Sequence, residues 1–140
     1  MDAGALTGLK TIYFGHIVAW FCFLFVVSKI NPPQRDVSVL VLGVLVVAAV
    51  TTMVIGFVTR NKLVKLSAEA LASDSPKARG FWKSANLIAF SCATSVAVYG
   101  VVLKMLGSSW RMAGIFFGLS FGLLLFWRPR QLAASGAEPA

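Results

Sequence analysis

Apolar residues along this chain gather into four long runs, and the charged residues stand almost wholly between them. Between Lys10 and Lys29 about eighteen uncharged residues follow one another, which at 1.5 Å of rise each reach roughly 27 Å, near the hydrocarbon thickness of a bilayer. The stretch 37–59 adds about twenty-three, rich in Val and Leu and far too long for one buried strand. Two further runs, about twenty residues from Ser84 to Leu103 and about sixteen from Met112 to Trp127, complete the set. The last is bracketed by Trp110, Arg111, Trp127 and Arg128, side chains suited to a membrane interface. The pattern predicts an all-α four-transmembrane-helix bundle. It forms one membrane domain over 1–130, with spans near 11–29, 37–59, 84–104 and 111–127, a loop at 60–83 and a short tail at 131–140.

The connections carry their own signals. Asn31-Pro32-Pro33 breaks the first span and offers a cap with prolines tolerated in a first helical turn, which predicts a second span starting within a few residues. Past Thr59 the sequence keeps good helix formers through Leu71, so the second helix is expected to run on beyond the membrane surface. Ser73-Asp74-Ser75-Pro76 then reads as a stop, with Ser75 capping and Pro76 opening the next helix.

Composition agrees with the pattern: the 140 residues are 58% hydrophobic, with five acidic residues against thirteen Lys and Arg. The resulting charge of +8 is clustered between spans, as it is where it orients helices, which points away from nucleic acid. Nine Lys and Arg fall on the side of the termini and four on the other, so the count places both termini in the cytoplasm of a multi-pass plasma (inner) membrane protein. The first helix lacks a following small-residue cleavage site and is expected to be retained. Arg60, Lys62, Lys65 and Lys83, with Trp82, form a basic group that anchors topology and can meet anionic lipid headgroups.

In lipid, helices associate through close backbone approach, which small residues at spacing four permit. Gly114, Gly118 and Gly122 make such a face on the fourth span, and Ala85, Ala89, Ala93 and Ala97 one on the third. Ala48, Thr52 and Gly56 keep the same register on the second. Packing within one bundle accounts for all of these faces; the glycine face serves equally for a second subunit. The segments 16–22 and 86–92 also align, as do 26–30 and 101–105, which suggests a duplicated helical hairpin whose halves are parallel repeats.

Candidate chemistry is sparse. No Asp, Glu, Lys or Arg lies deep in a span, which argues against a carboxylate proton relay, a voltage sensor or an acid–base site inside the bundle. His16, the only histidine, lies a turn or two into the first span and is a candidate haem or pigment ligand, or a hydrogen-bonded interfacial residue. Ser91, Thr94 and Ser95, with Thr52, form a possible polar patch able to hydrogen-bond backbone carbonyls or line a solute path. Cys22 and Cys92 occupy matching repeat positions and are expected to face one another without completing a metal site. His16, Glu69 and Asp74 show no catalytic spacing, so neither an enzyme, a metal nor a cofactor is expected.

The segment Ser91-Cys92-Ala93-Thr94-Ser95-Val96-Ala97-Val98-Tyr99-Gly100 resembles the second helix of the rotary ATP synthase proteolipid (c) subunits, in which an acidic residue precedes a small-apolar-Tyr-Gly stretch. Thr94 stands where that family's ion-carrying carboxylate would be. The resemblance therefore implies tight helix packing without the ion chemistry. The ending Trp127-Arg128-Pro129-Arg130 is similar to small bacterial four-helix membrane proteins, which implies no activity. The leading expectation is an accessory or scaffolding subunit that packs against other membrane subunits or itself. A homo-oligomeric channel or small-solute transporter and a haem- or pigment-binding subunit are the alternatives.

Overall fold

The computed structural model describes residues 3–30, 32–33, 35–73 and 75–129, and among them every regular element is helical. The elements are α1 (Ala3–Lys29), α2 (Val39–Ala72), α3 (Ala78–Met105) and α4 (Trp110–Phe126). Asn31, Asp74, Arg130 and the tail 131–140, to which the sequence assigned roles, lie outside the described residues. Three helices are long and apolar enough to cross a membrane; α4, with 17 residues, is shorter. The molecule is a transmembrane helix bundle.

Helix ends follow local chemistry, with two corrections to the expected boundaries. The second helix starts at Val39, close to the expected 37, but its cap is Ser38 and not the Asn-Pro-Pro segment, the Ser38 hydroxyl accepting from the Leu40 amide at 3.3 Å. The chain is kept out of helix before that point because the Arg35 amide donates across to the Gly107 carbonyl at 3.2 Å. Pro76 lies in a turn ahead of α3 rather than in its first turn, since the Ala78 amide closes back on the Ser75 carbonyl at 3.2 Å. As the helix formers past Thr59 predict, α2 continues unbroken to Ala72.

The third helix organises the bundle. It lies beside all three others, α1 also touches α4, and α1 and α2 nowhere approach one another. The two helical pairs are therefore not equivalent as packed units: α3 and α4 form a closed hairpin, α1 and α2 an open one. Ala85, Ala89, Ala93 and Ala97 are fully buried, which brings the α3 backbone close enough for the Ser120 hydroxyl of α4 to donate to the Ala93 carbonyl at 2.7 Å. On the side toward α2, Gly56 lies against Cys92, and Ser67 donates to the Ala78 carbonyl at 2.7 Å. Trp20 of α1 donates to the Phe117 carbonyl of α4 at 3.3 Å. Most helix pairs are thus joined by a hydrogen bond as well as by packing, and in an apolar solvent each is worth roughly 1 kcal/mol.

These pairings fix the relative heights of the helices. With Ser120 level with Ala93, Gly56 with Cys92 and His16 beside Thr94, Lys10 and Arg60 come to one height near the termini, with Arg128 and Lys83 roughly 5 and 8 Å beyond them at the α-helical rise. Lys29, Lys104 and Arg111 come to another, at the end where the loops 30–38 and 106–109 meet. The 17 residues of α4 rise about 26 Å, so this short helix reaches between the two levels, with Arg111 and Arg128 exposed at its ends. Between the two levels the outer surface is apolar: Val44, Val47, Val54 and Val58 on α2, and Phe14, Phe21 and Phe25 on α1, are exposed. Such a surface suits lipid and not water.

Candidate functional site

The small-residue faces separate into two kinds. Gly56 and Gly100 are close-packed: a Cβ at Gly56 would lie 2.9 Å from the Cys92 Cβ, and one at Gly100 would lie 3.1 Å from the Ala113 carbonyl oxygen. Gly114, Gly118 and Gly122 meet nothing within 4 Å. Packing inside one bundle therefore explains the α3 alanines, but it does not explain the α4 glycines. Their face points outward because α4 turns Ala113, Phe116, Phe117, Ser120 and Leu124 toward α3 and α1, and the glycines occupy the opposite side.

The polar patch does not converge. Ser91, Ser95 and Tyr99 follow one another at spacing four, and Tyr99 meets Thr52 of α2 at 3.1 Å, while Thr94 is turned toward α1. Three of the hydroxyls are also spent locally: Thr52 donates to the Ala48 carbonyl at 2.8 Å, Thr94 to that of Phe90 at 2.9 Å and Ser95 to that of Ser91 at 2.9 Å. Helical hydroxyls bonded back to the preceding turn are satisfied without solute or water. The arrangement joins helices rather than lining a path.

His16 is half-buried, its ring 5.8 Å from that of Phe90, and its Nδ1 stands 2.9 Å from the Thr94 hydroxyl. The Thr94 hydroxyl thus stands between the His16 ring and the Phe90 carbonyl, and with its proton on Phe90 the contact to His16 requires a hydrogen on Nδ1. Thr94 is thereby tied into an interhelical hydrogen bond. Replacing Thr94 with Val is expected to cost about 1 kcal/mol, and with Ser much less. Unfolding titrations of the two variants in detergent check this, and equal stability of the Val and wild-type chains would contradict it.

Lys62, Lys65 and Lys83 are exposed on the termini side, and Arg60 is half-buried there. Trp82 does not join them at the interface: it is 3% exposed and belongs to the core beside Leu9 and Phe90. Cys22 and Cys92 do not face each other. The first is exposed on α1 and the second packs under Gly56, because α1 lies on a different side of α3 from α2. Among the described residues no three His, Cys, Asp or Glu side chains come together as a metal site.

Three features escape the linear pattern. Gly107 takes φ +90° and ends α3 as its amide bonds the Lys104 carbonyl at 3.0 Å and that of Ser108 bonds Leu103 at 3.1 Å. Lys104 is buried at the same end, its ammonium 5.2 Å from the centre of the Trp110 ring. The Trp127 indole N–H is buried with no acceptor among the described residues. A glycine after a helix is the one sequence signal that points to the first; burial of Lys104 and Trp127 depends on neighbours distant in the chain. No protein-family model, curated protein or solved structure matches this chain.

Proposed function

We propose that this protein is a non-enzymatic accessory or scaffolding subunit of the plasma (inner) membrane that works by packing against other membrane subunits or its own copies. The observation that carries the reading is the open face of Gly114, Gly118 and Gly122. Each helical glycine costs roughly 0.5–1 kcal/mol relative to alanine, and three on one outward face gain nothing from the rest of this chain. A partner helix that approaches along the groove offsets that cost by backbone-to-backbone contact. The solute-path alternative is weakened by the divergence of Ser91, Ser95 and Thr52 from Thr94. The excess of Lys and Arg at the termini side supports cytoplasmic termini.

The test is co-purification of the full chain from mild detergent, with Gly118→Ile as the disabling variant. The bulky side chain projects into open space in the single bundle, so helix content and unfolding midpoint should stay at the wild-type values while the associated species is lost. A wild-type chain that is strictly monomeric and retains no other protein would overturn the proposal.

A further inference from the structure

At the end of the bundle where its two loops meet, a cavity of about 440 Å³ opens between the start of α2 and the start of α4. Arg35, Asp36 and Ser108 line its polar side, and Leu42 and Met112 its apolar side. The loop carrying the two charges is held in place, since the Arg35 amide is bonded to the Gly107 carbonyl and Gly107 is locked in the turn that ends α3. Neither the Arg35 guanidinium nor the Asp36 carboxylate has a side-chain hydrogen bond or ion pair among the described residues. Ser108 is 7% exposed, and its hydroxyl likewise has no partner there.

A hydroxyl on a mostly buried residue that opens into the cavity, set beside two exposed charges of opposite sign with no partner among the described residues, suits a ligand that is itself zwitterionic. An anionic oxygen group suits Arg35, the Ser108 hydroxyl and the nearby N-terminus of α4, which Ser109 caps. A primary ammonium suits Asp36. The apolar side is built from Val37, Leu42 and Met112, and Val39, at the start of α2 and on the flank of the helix next to Leu42, is exposed. We propose that this cavity binds the phosphoethanolamine headgroup of an aminophospholipid, with phosphate at Arg35 and Ser108, ammonium at Asp36, and acyl chains running down the outside of α2. The strongly positive chain would by itself attract anionic lipid, so a preference for a zwitterion at this end is a property of the cavity and not of net charge.

Native mass spectrometry of the full chain in detergent, offered phosphatidylethanolamine, phosphatidylcholine or phosphatidylglycerol in turn, tests the assignment. Phosphatidylethanolamine should be retained about tenfold better than the other two, because the quaternary ammonium of choline donates no hydrogen bond and glycerol carries no positive charge for Asp36. Asp36→Asn should abolish that preference, and Arg35→Gln should lower phosphatidylethanolamine retention about tenfold, with circular dichroism confirming that helix content is unchanged. Equal retention of the three lipids by the wild-type chain, or the same preference in both variants, would overturn the proposal. Free phosphoethanolamine supplies the second arm. If it fails to displace the lipid at millimolar concentration the membrane is the source, and if it binds as tightly as the lipid the source is a soluble zwitterion instead.

Discussion

Gly56→Ala should destabilise the bundle by about 1–3 kcal/mol, and Gly56→Leu should prevent α2 from seating on α3 at all. The added Cβ would stand 2.9 Å from the Cys92 Cβ, 3.1 Å from its sulfur and 3.3 Å from the ring of Trp127. None of these neighbours yields cheaply. The Cys92 Cβ is fixed to the α3 backbone, and Trp127 is 1% exposed, walled in by the core. Relief requires the two helices to separate, and separation also stretches the hydrogen bond between Thr52 and Tyr99. Because the nearest atom is a Cβ, Cys92→Ala leaves the obstruction in place and Cys92→Gly removes it. The pair Gly56→Ala with Cys92→Gly should therefore recover part of the loss that Gly56→Ala causes alone. Gly43→Ala, at an exposed position with nothing within 4 Å, serves as the control and should be neutral or slightly stabilising. Unfolding in a denaturing detergent, followed by circular dichroism, measures all of them. A Gly56→Ala chain as stable as wild type would mean that α2 and α3 do not pack at this position.

Substitution at Gly107 should cost about 2–3 kcal/mol for a different reason, because it strains the backbone as well as the packing. Its φ of +90° is disfavoured for any residue with a Cβ, and a Cβ there would lie 2.7 Å from the Pro33 carbonyl oxygen and 3.1 Å from the Arg35 amide nitrogen. Both atoms belong to the backbone of the other loop, so the loop itself must move and the bond from the Arg35 amide to the Gly107 carbonyl is lost. Gly107→Asn separates the two contributions. Asparagine tolerates positive φ better than alanine but carries the same Cβ, so if the clash dominates, both variants lose similar stability. The thermal midpoint in detergent gives the size of the effect, and faster hydrogen exchange at the Arg35 amide locates it. An unchanged midpoint for Gly107→Ala would show that the two loops do not depend on one another.

What could be read along the chain was what depends on near neighbours and on the solvent around each helix. The uninterrupted apolar run of 37–59 determined a spanning helix, and the helix formers after it determined that α2 would continue to Ala72. The alanines at spacing four on α3 announced a smooth, buried face for the same reason, since a helix repeats every 3.6 residues whatever its partners. Even so, position within an apolar run misled for Cys22 and Cys92, because their matching places in two segments carry no information about which side of α3 each neighbour takes. Trp82 misled similarly: a tryptophan among basic residues reads as interfacial, yet α1 and α3 bury it.

The tertiary arrangement decided the rest. Two glycine-bearing helices with the same sequence signal met opposite fates, Gly56 pressed against Cys92 and Gly114, Gly118 and Gly122 left open. The difference arises because α4 had larger apolar side chains to offer α3 from its other face. Likewise Ser91, Thr94 and Ser95 are adjacent in sequence, but the rotation of α3 sends Thr94 to His16 and turns the others away, so a patch in the chain is not a patch in space. The charges along the sequence marked where the apolar runs begin and end. Which surfaces remain available within it, the open glycine face and the cavity between the loops, follows only from how four helices of unequal length fit together, because each buries whichever face its neighbours leave room for.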